Sequence, residues 1–265
     1  MDQCLNETEP HTNTAADTKP KATVLVPLYI YPLDDETWKP LYEAITNHPN
    51  LDFLVIVNPN SGPGDIFVAN RDYSREIPKL NAHANVVTAG YIRIDYCKRP
   101  LSEVCTEIDT YACWATEYEK TGLGVGGILL DETPNHYTAE RAEYLDALCQ
   151  HIKAAPGIQG DRLVIHNPGT PPDTELGSPG PDVIVTCEEP YERYQGEEVQ
   201  KRLKDYHYDQ PRSGYMVSGV PSTEIFALLQ KLRYRGAYLF VTDLVNDFYE
   251  SFGDSWGEFI AAFET

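Results

Sequence analysis

Two groups of carboxylates stand out because of what precedes them. Residues 126–132 read GGILLDE, a run of small and aliphatic residues that ends on Asp131 and Glu132. Residues 182–189 read DVIVTCEE, a second apolar run that ends on Glu188 and Glu189. Apolar runs of this length suit buried strands, and a buried strand ending on acids delivers them at its tip. Two carboxyl groups held close together divide their labour, because the shared negative field raises one pKa and leaves the other group ionised. That division is what glycoside hydrolysis needs: one acid protonates the leaving oxygen while an ionised partner acts as base or nucleophile. The same acids with His166 could instead hold a divalent ion, but neither H-x-H nor H-E-x-x-H spacing occurs. No metal and no cofactor is expected. Glu189 and Asp243 have a plainer reading, as the first residues of the helices that follow.

The acids can meet only if the chain brings several strand ends to one rim. Eight strand-like runs cover 23–31, 53–58, 85–92, 126–132, 162–167, 182–189, 214–219 and 237–243. Most are continuously apolar rather than alternating, as parallel strands covered on both faces are. Between them lie stretches of helical character. Residues 101–120 place Leu101, Val104, Ile108, Tyr111 and Ala115 at three- and four-residue steps. Thr138 is a good cap for the helix after strand 4, and Gly236 a good stop for the helix before strand 8. Strands alternating with helices in this number predict an α/β fold, a (β/α)8 TIM barrel. An open doubly wound sheet would usually carry a Gly-rich turn after strand 1, where this chain has YPLDDETW. Two features are irregular. Pro27 falls inside strand 1, which requires a bulge or an early strand end. Residues 168–181, PGTPPDTELGSPGP, are too rich in Pro and Gly for a helix and predict an irregular crossover between strands 5 and 6.

In such a barrel, function gathers at the C-terminal ends of the strands. Read in order, those ends supply Tyr29 and Tyr31, Asn58 and Asn60, Tyr91 and Arg93, Asp131 and Glu132, His166 and Asn167, Glu188 and Glu189, Ser218, and Asp243. Asn58, Asn60, Tyr91, His166 and Asn167 are candidates for bonding sugar hydroxyls. Tyr29, Tyr137 and Tyr191 are candidates for stacking, since a tyrosine joins a flat apolar face to a hydroxyl.

Composition limits the alternatives. Lys and Arg total 21 against 41 Asp and Glu, a net charge of −20 that repels nucleic acid and anionic lipid. Hydrophobic residues at 42% suffice for one large core, so residues 22–265 are expected to form a single catalytic domain, acting as a monomer. No run approaches the ~20 apolar residues of a membrane span. Residues 1–21 are polar, with no apolar signal core, and read as a disordered leader. The six cysteines include no C-x-x-C pair, and one disulfide among Cys97, Cys105 and Cys113 is compatible with their spacing.

Several longer stretches carry a resemblance. VPLYIYP (26–32), HPNLDFLVIVNPNSGPG (48–64), IPKLNAHANVVTAGYI (77–92), GILLDETP (127–134) and VTCEEPYERY (185–194) are similar to the spherulin 4 family of glycoside hydrolases, from about residue 22 to 263. The resemblance implies a (β/α)8 endo-hydrolase that cuts α-1,4-linked N-acetylgalactosamine in galactosaminogalactan, a fungal biofilm and cell-wall polysaccharide. It implies functional acids at Asp131 and Glu132 of LDE and at Glu188 of CEEPY. It also implies an extracellular or cell-surface location.

Two mechanisms fit these acids. In one, Asp131 and Glu188 flank the scissile bond and Glu132 binds substrate; a carboxyl gap of ~5–5.5 Å would mean retention and ~6.5–9.5 Å inversion. In the other, the acetamido oxygen of the substrate attacks, Asp131 orients the amide and Glu132 protonates the leaving oxygen. Neighbouring strand residues point to opposite faces, so Glu132 reaches the site only if the strand has already ended. The first scheme is the favoured one. The reading from a different class is a non-catalytic carbohydrate-binding barrel, or a spore or developmental structural protein.

Overall fold

The computed structural model describes residues 19–64, 69–177, 180–206 and 209–264. The expected leader up to position 18, with Cys4, lies outside the described residues. The strands are β1 (Thr23–Leu28), β2 (Phe53–Val57), β3 (Val86–Arg93), β4 (Gly127–Asp131), β5 (Leu163–Asn167), β6 (Val183–Pro190), β7 (Ser213–Ser218) and β8 (Tyr238–Val241). All pair in parallel with their sequence neighbours. The ring closes between β1 and β8 through Thr23↔Tyr238 and Val24↔Leu239, which makes a barrel rather than an open sheet. The helices are α1 (Lys39–Asn47), α2 (Arg71–Asn81), α3 (Leu101–Trp114), α4 (Tyr118–Thr121), α5 (Ala139–Ala154), α6 (Tyr191–Gln195), α7 (Glu197–Asp205), α8 (Ser222–Leu232) and α9 (Trp256–Ala261).

Local chemistry explains where these elements begin and end. The side chain of Asn70 accepts the N–H groups of Asp72 and Tyr73 and so caps α2, and Thr138 accepts from Arg141 to cap α5. Gly122 ends α4 in the left-handed conformation, φ +68°. Among its described residues the Pro/Gly-rich crossover from β5 to β6 holds a single turn, Thr174–Leu176, and β6 still lies beside β5. Pro27 needs no bulge. Thr23 donates toward β8 and Val24 toward β2, so by alternation Pro27 faces the β8 side. There the pairing has already ended at Val24, and no ladder donor is lost.

The bulge lies instead in β6. Its register against β7 jumps from Val185↔Gly214 to Cys187↔Tyr215, which leaves Thr186 unpaired. One extra residue reverses the facing of everything after it, because side chains alternate along a strand. Glu188 is thereby set opposite Met216, on the barrel axis, while Cys187 and Glu189 face the surrounding helices.

A tight contact behind β3 supports the rim. Tyr111 of α3 is fully buried, and its hydroxyl donates to the carbonyl of Tyr91 at 3.0 Å. Its ring lies against Gly90, where a Cβ would stand 2.5 Å from the ring carbon Cζ. Gly90→Ala is therefore expected to destabilise the fold by ~1–3 kcal/mol through overpacking. At ~2–4 °C per kcal/mol for a domain near this size, calorimetry should read a clear fall in Tm.

The cysteines Cys97, Cys105 and Cys113 are free, so the disulfide that their spacing allowed is not formed.

Candidate active site

The site is assembled from the tips of β4, β5 and β6. Register sets Arg93, Asp131 and Asn167 in one row across β3, β4 and β5. The bulge in β6 then turns Glu188 toward that row. A single nitrogen joins the two acids: Asn167 Nδ2 donates to Asp131 Oδ1 and to Glu188 Oε2, each at 2.7 Å. The two carboxylate oxygens consequently lie within twice 2.7 Å of each other. The amide cannot be turned over, because Asn167 Oδ1 accepts the backbone N–H of Gly169 at 3.0 Å. Gly169, at φ +66°, also takes the N–H of Glu188 on its carbonyl at 2.9 Å.

Each acid has a second donor of the same kind. Tyr91 donates its hydroxyl to Asp131 Oδ2 at 2.5 Å, and Tyr249 donates to Glu188 Oε1 at 2.5 Å. Tyr29 packs edge-on against both phenol rings, with centroids 5.4 Å from Tyr91 and 5.1 Å from Tyr249. The arrangement is nearly symmetrical: acid, amide, acid along the middle, with a tyrosine on each flank and a third between the flanks.

Burial dominates the electrostatics. It pushes the carboxyl pKa of Asp131 above the usual range, against the hydrogen bonds from Tyr91, the Glu132 backbone and Asn167. It does the same for Glu188, against the bonds from Tyr249 and Asn167, and the charge of Asp131 adds to the rise. Burial also pushes the phenols of Tyr91 and Tyr249 well up, so both stay protonated as donors. Two carboxyl groups this close, each desolvated and each fed by at least two donors, can hold a proton on one and a charge on the other.

Glu132 reaches the same cleft by another route. β4 ends at Asp131, and Glu132 takes a left-handed backbone, φ +55°. The change of direction frees its side chain from strand alternation. Its carboxylate pairs with Arg93 Nε at 2.8 Å. The cleft, of about 270 Å³, is walled by Glu132, Asn167, Glu188, Met216, Phe248 and Tyr249. Among the described residues, no group of three or more His, Cys, Asp or Glu is arranged to hold a metal ion.

The other sequence candidates fall elsewhere. His166 corrects the sequence reading. It is buried on the opposite face of β5, with Nε2 3.5 Å from Cys149 Sγ on α5. Desolvation lowers its pKa to about 3, so it is a neutral packing residue. Asn58 is half-buried just past β2, and its carbonyl accepts from Tyr73 at 3.2 Å. Asn60 is exposed in the next loop. Tyr137 is exposed after β4, its N–H bonded to Asp173 at 2.7 Å. Tyr191 opens α6 and packs on the core. Among the described residues, no hydrogen bond or ion pair joins the side chains of these four to the acids. Glu189 also borders the cleft, but it is buried and its carboxylate is paired with Arg202 at 3.1 Å and Arg193 at 3.5 Å. Tyr249 is the residue that the sequence reading missed. It lies in the long connection after β8, and its only signal is the aromatic density of DFYESF.

A crystal structure of Aspergillus clavatus Sph3 in complex with GalNAc superposes with a TM-score of 0.88 at 35% identity, covering 93% of this chain and 98% of that one. Spherulin-4 of Physarum polycephalum is 34% identical over 160 residues, a stretch that is 60% of this chain and only 42% of that protein. A GH26 beta-mannanase from Bacteroides ovatus shares the barrel, with a TM-score of 0.55 at 11% identity over 93% of this chain and 89% of that one. At that identity the likeness concerns the fold alone. The model of spherulation-specific family 4 matches residues 23–263, nearly the whole length, and the chain belongs to that family.

Proposed function

We propose that this protein is a glycoside hydrolase that cuts within α-1,4-linked N-acetylgalactosamine runs of a galactosaminogalactan-type polysaccharide. The observation that carries the reading is the pair Asp131 and Glu188 on one amide nitrogen at the barrel mouth. Their nearest oxygens, bonded to one nitrogen at 2.7 Å each, favour the short-gap arrangement of retaining enzymes, ~5–5.5 Å, over the ~6.5–9.5 Å that leaves room for an inverting water. One of the two then attacks the anomeric carbon while the other protonates the departing glycosidic oxygen. In the second half, the same acid takes a proton from water and the glycosyl–enzyme bond is hydrolysed. Glu132, held by Arg93 at the cleft wall, binds substrate. The GalNAc bound in the Aspergillus clavatus structure supports the choice of sugar. No helix among the described residues is long and apolar enough to cross a membrane, and we place the activity outside the cell or at its surface, where such a polymer is found.

The test is a mass-spectrometric product profile from purified galactosaminogalactan. Short N-acetylgalactosamine oligosaccharides of several lengths are expected. Polymer that binds but releases no oligosaccharide would mark a non-catalytic carbohydrate-binding barrel and overturn the reading.

A further inference from the structure

The connection between β3 and α3 contains backbone that its residues disfavour. Asp95, Tyr96 and Cys97 all take left-handed conformations, with φ of 47°, 53° and 66°. Left-handed backbone is costly for a non-glycine residue and normally occurs one residue at a time. Three in succession make a left-handed turn with no glycine in it. The turn is clasped to a second strained position, since the N–H of Tyr96 donates to the carbonyl of Glu132 at 2.8 Å. Asp95 ties the base of the turn to Arg93 at 3.5 Å and to Lys98 at 3.6 Å.

What this strained turn delivers is an aromatic ring in water. Tyr96 is 49% exposed and lines the same cleft as Glu132, Asn167 and Glu188. The Lys98 ammonium lies over the ring, 5.5 Å from its centroid, a contact that steadies it in solvent. Cys97 at the end of the turn packs against the core, but the Tyr96 ring gains little from core packing, and strain that persists at a cleft is a pointer to a ligand. The charges beside the ring balance: Asp95 and Glu132 face Arg93 and Lys98. A neutral partner with a flat apolar face fits this surface, and a pyranose ring has both properties.

We propose that Tyr96 is a sugar-stacking platform, the aromatic wall of a subsite that holds a neutral pyranose of the substrate chain beside the two acids. The inference rests on the hydrolase reading and adds to it a residue that sets chain binding. The test uses the cleavage-impaired Glu188→Gln protein and α-1,4-linked N-acetylgalactosamine oligosaccharides, followed by calorimetric titration. Adding Tyr96→Ala should weaken binding about tenfold, while Tyr96→Phe, which keeps the ring, should bind within about twofold of the parent. Tyr96→Gly, which suits the left-handed backbone, should bind as weakly as Tyr96→Ala yet melt no lower than the parent. Equal binding by the parent and the Ala and Gly variants would overturn the platform and leave the hydrolase reading standing. A parent that neither binds the oligosaccharides nor, as wild type, cleaves the polymer would overturn both.

Discussion

Glu188→Gln is expected to abolish polymer cleavage and, at neutral pH, to make the fold more stable. The kinetic half follows from position. Glu188 shares a donor with Asp131 and faces the cleft, so either of its possible roles, attack or proton transfer, is lost with the carboxylate. The fall in kcat should reach ~10³-fold or more, the upper part of the range for such groups. The stability half follows from burial. Desolvation raises the folded-state pKa of Glu188 above its unfolded value. Between those two pKa values the folded state holds a proton that the unfolded state has released. Stability from this group is therefore complete below the unfolded-state pKa and is lost as pH rises through the folded-state pKa. At neutral pH the charged, buried carboxylate is a net drain.

Glutamine removes that drain without stranding its neighbours. Its carbonyl oxygen can accept from Asn167, and its NH2 can donate to Tyr249, whose hydroxyl serves as donor or acceptor. A gain on the order of 1 kcal/mol, or ~2–4 °C in Tm, is expected at pH 7. It should shrink toward zero below about pH 4, near the ordinary carboxyl range, where wild-type Glu188 is protonated in both states. Thermal unfolding of both proteins across pH checks the claim. A variant less stable than wild type at pH 7, by an amount that pH does not change, would refute it. The opposed signs are those of an active site held at the expense of stability.

The barrel was legible because its strands are continuously apolar, a pattern that only strands covered on both faces display. Asp131 and Glu188 were legible for the same reason, as charges that end such runs. Their aim was not. Counted by simple alternation from Val183, the inward-facing residue at the end of β6 is the wrong one of Glu188 and Glu189. The unpaired Thr186 decides between them, and no residue type announces that bulge. Parity also separates Asn167 from His166. Neighbours on β5 cannot both face the axis, and register with Asp131 selects the amide. Tyr249 depends on closure of the ring. Its connection after β8 reaches back to β1, where its carbonyl accepts the N–H of Tyr29 at 3.2 Å, a contact across nearly the whole chain. Asn60, Tyr137 and Tyr191 sit at the expected strand ends, but the circle of strand ends is wider than the cleft inside it.

Asn167→Ala should lower kcat/KM by ~10²–10³-fold, the loss typical of removing one preorganised donor from a site, although Asn167 need not touch the bond being broken. Among the described residues its Nδ2 is the sole group that bonds both acids, and it stabilises each in the ionised form. In its absence, Asp131 and Glu188 keep the burial that raises their pKa values and lose a bond that lowers them. The acidic limb of the pH profile for kcat/KM, which reports ionisation of the attacking carboxylate, must then move to higher pH. A residue that merely packed the rim would scale the whole profile down and leave its limbs in place. An unshifted acidic limb in Asn167→Ala, measured on an N-acetylgalactosamine oligosaccharide, would count against the bridged pair as the catalytic unit. Asn167→Asp sharpens the comparison. A third carboxylate then stands where the donor was, so the acidic limb should move further in the same direction, while the bond to the Gly169 N–H can be kept. The order wild type, Ala, Asp in that limb is the signature of an amide whose work is electrostatic.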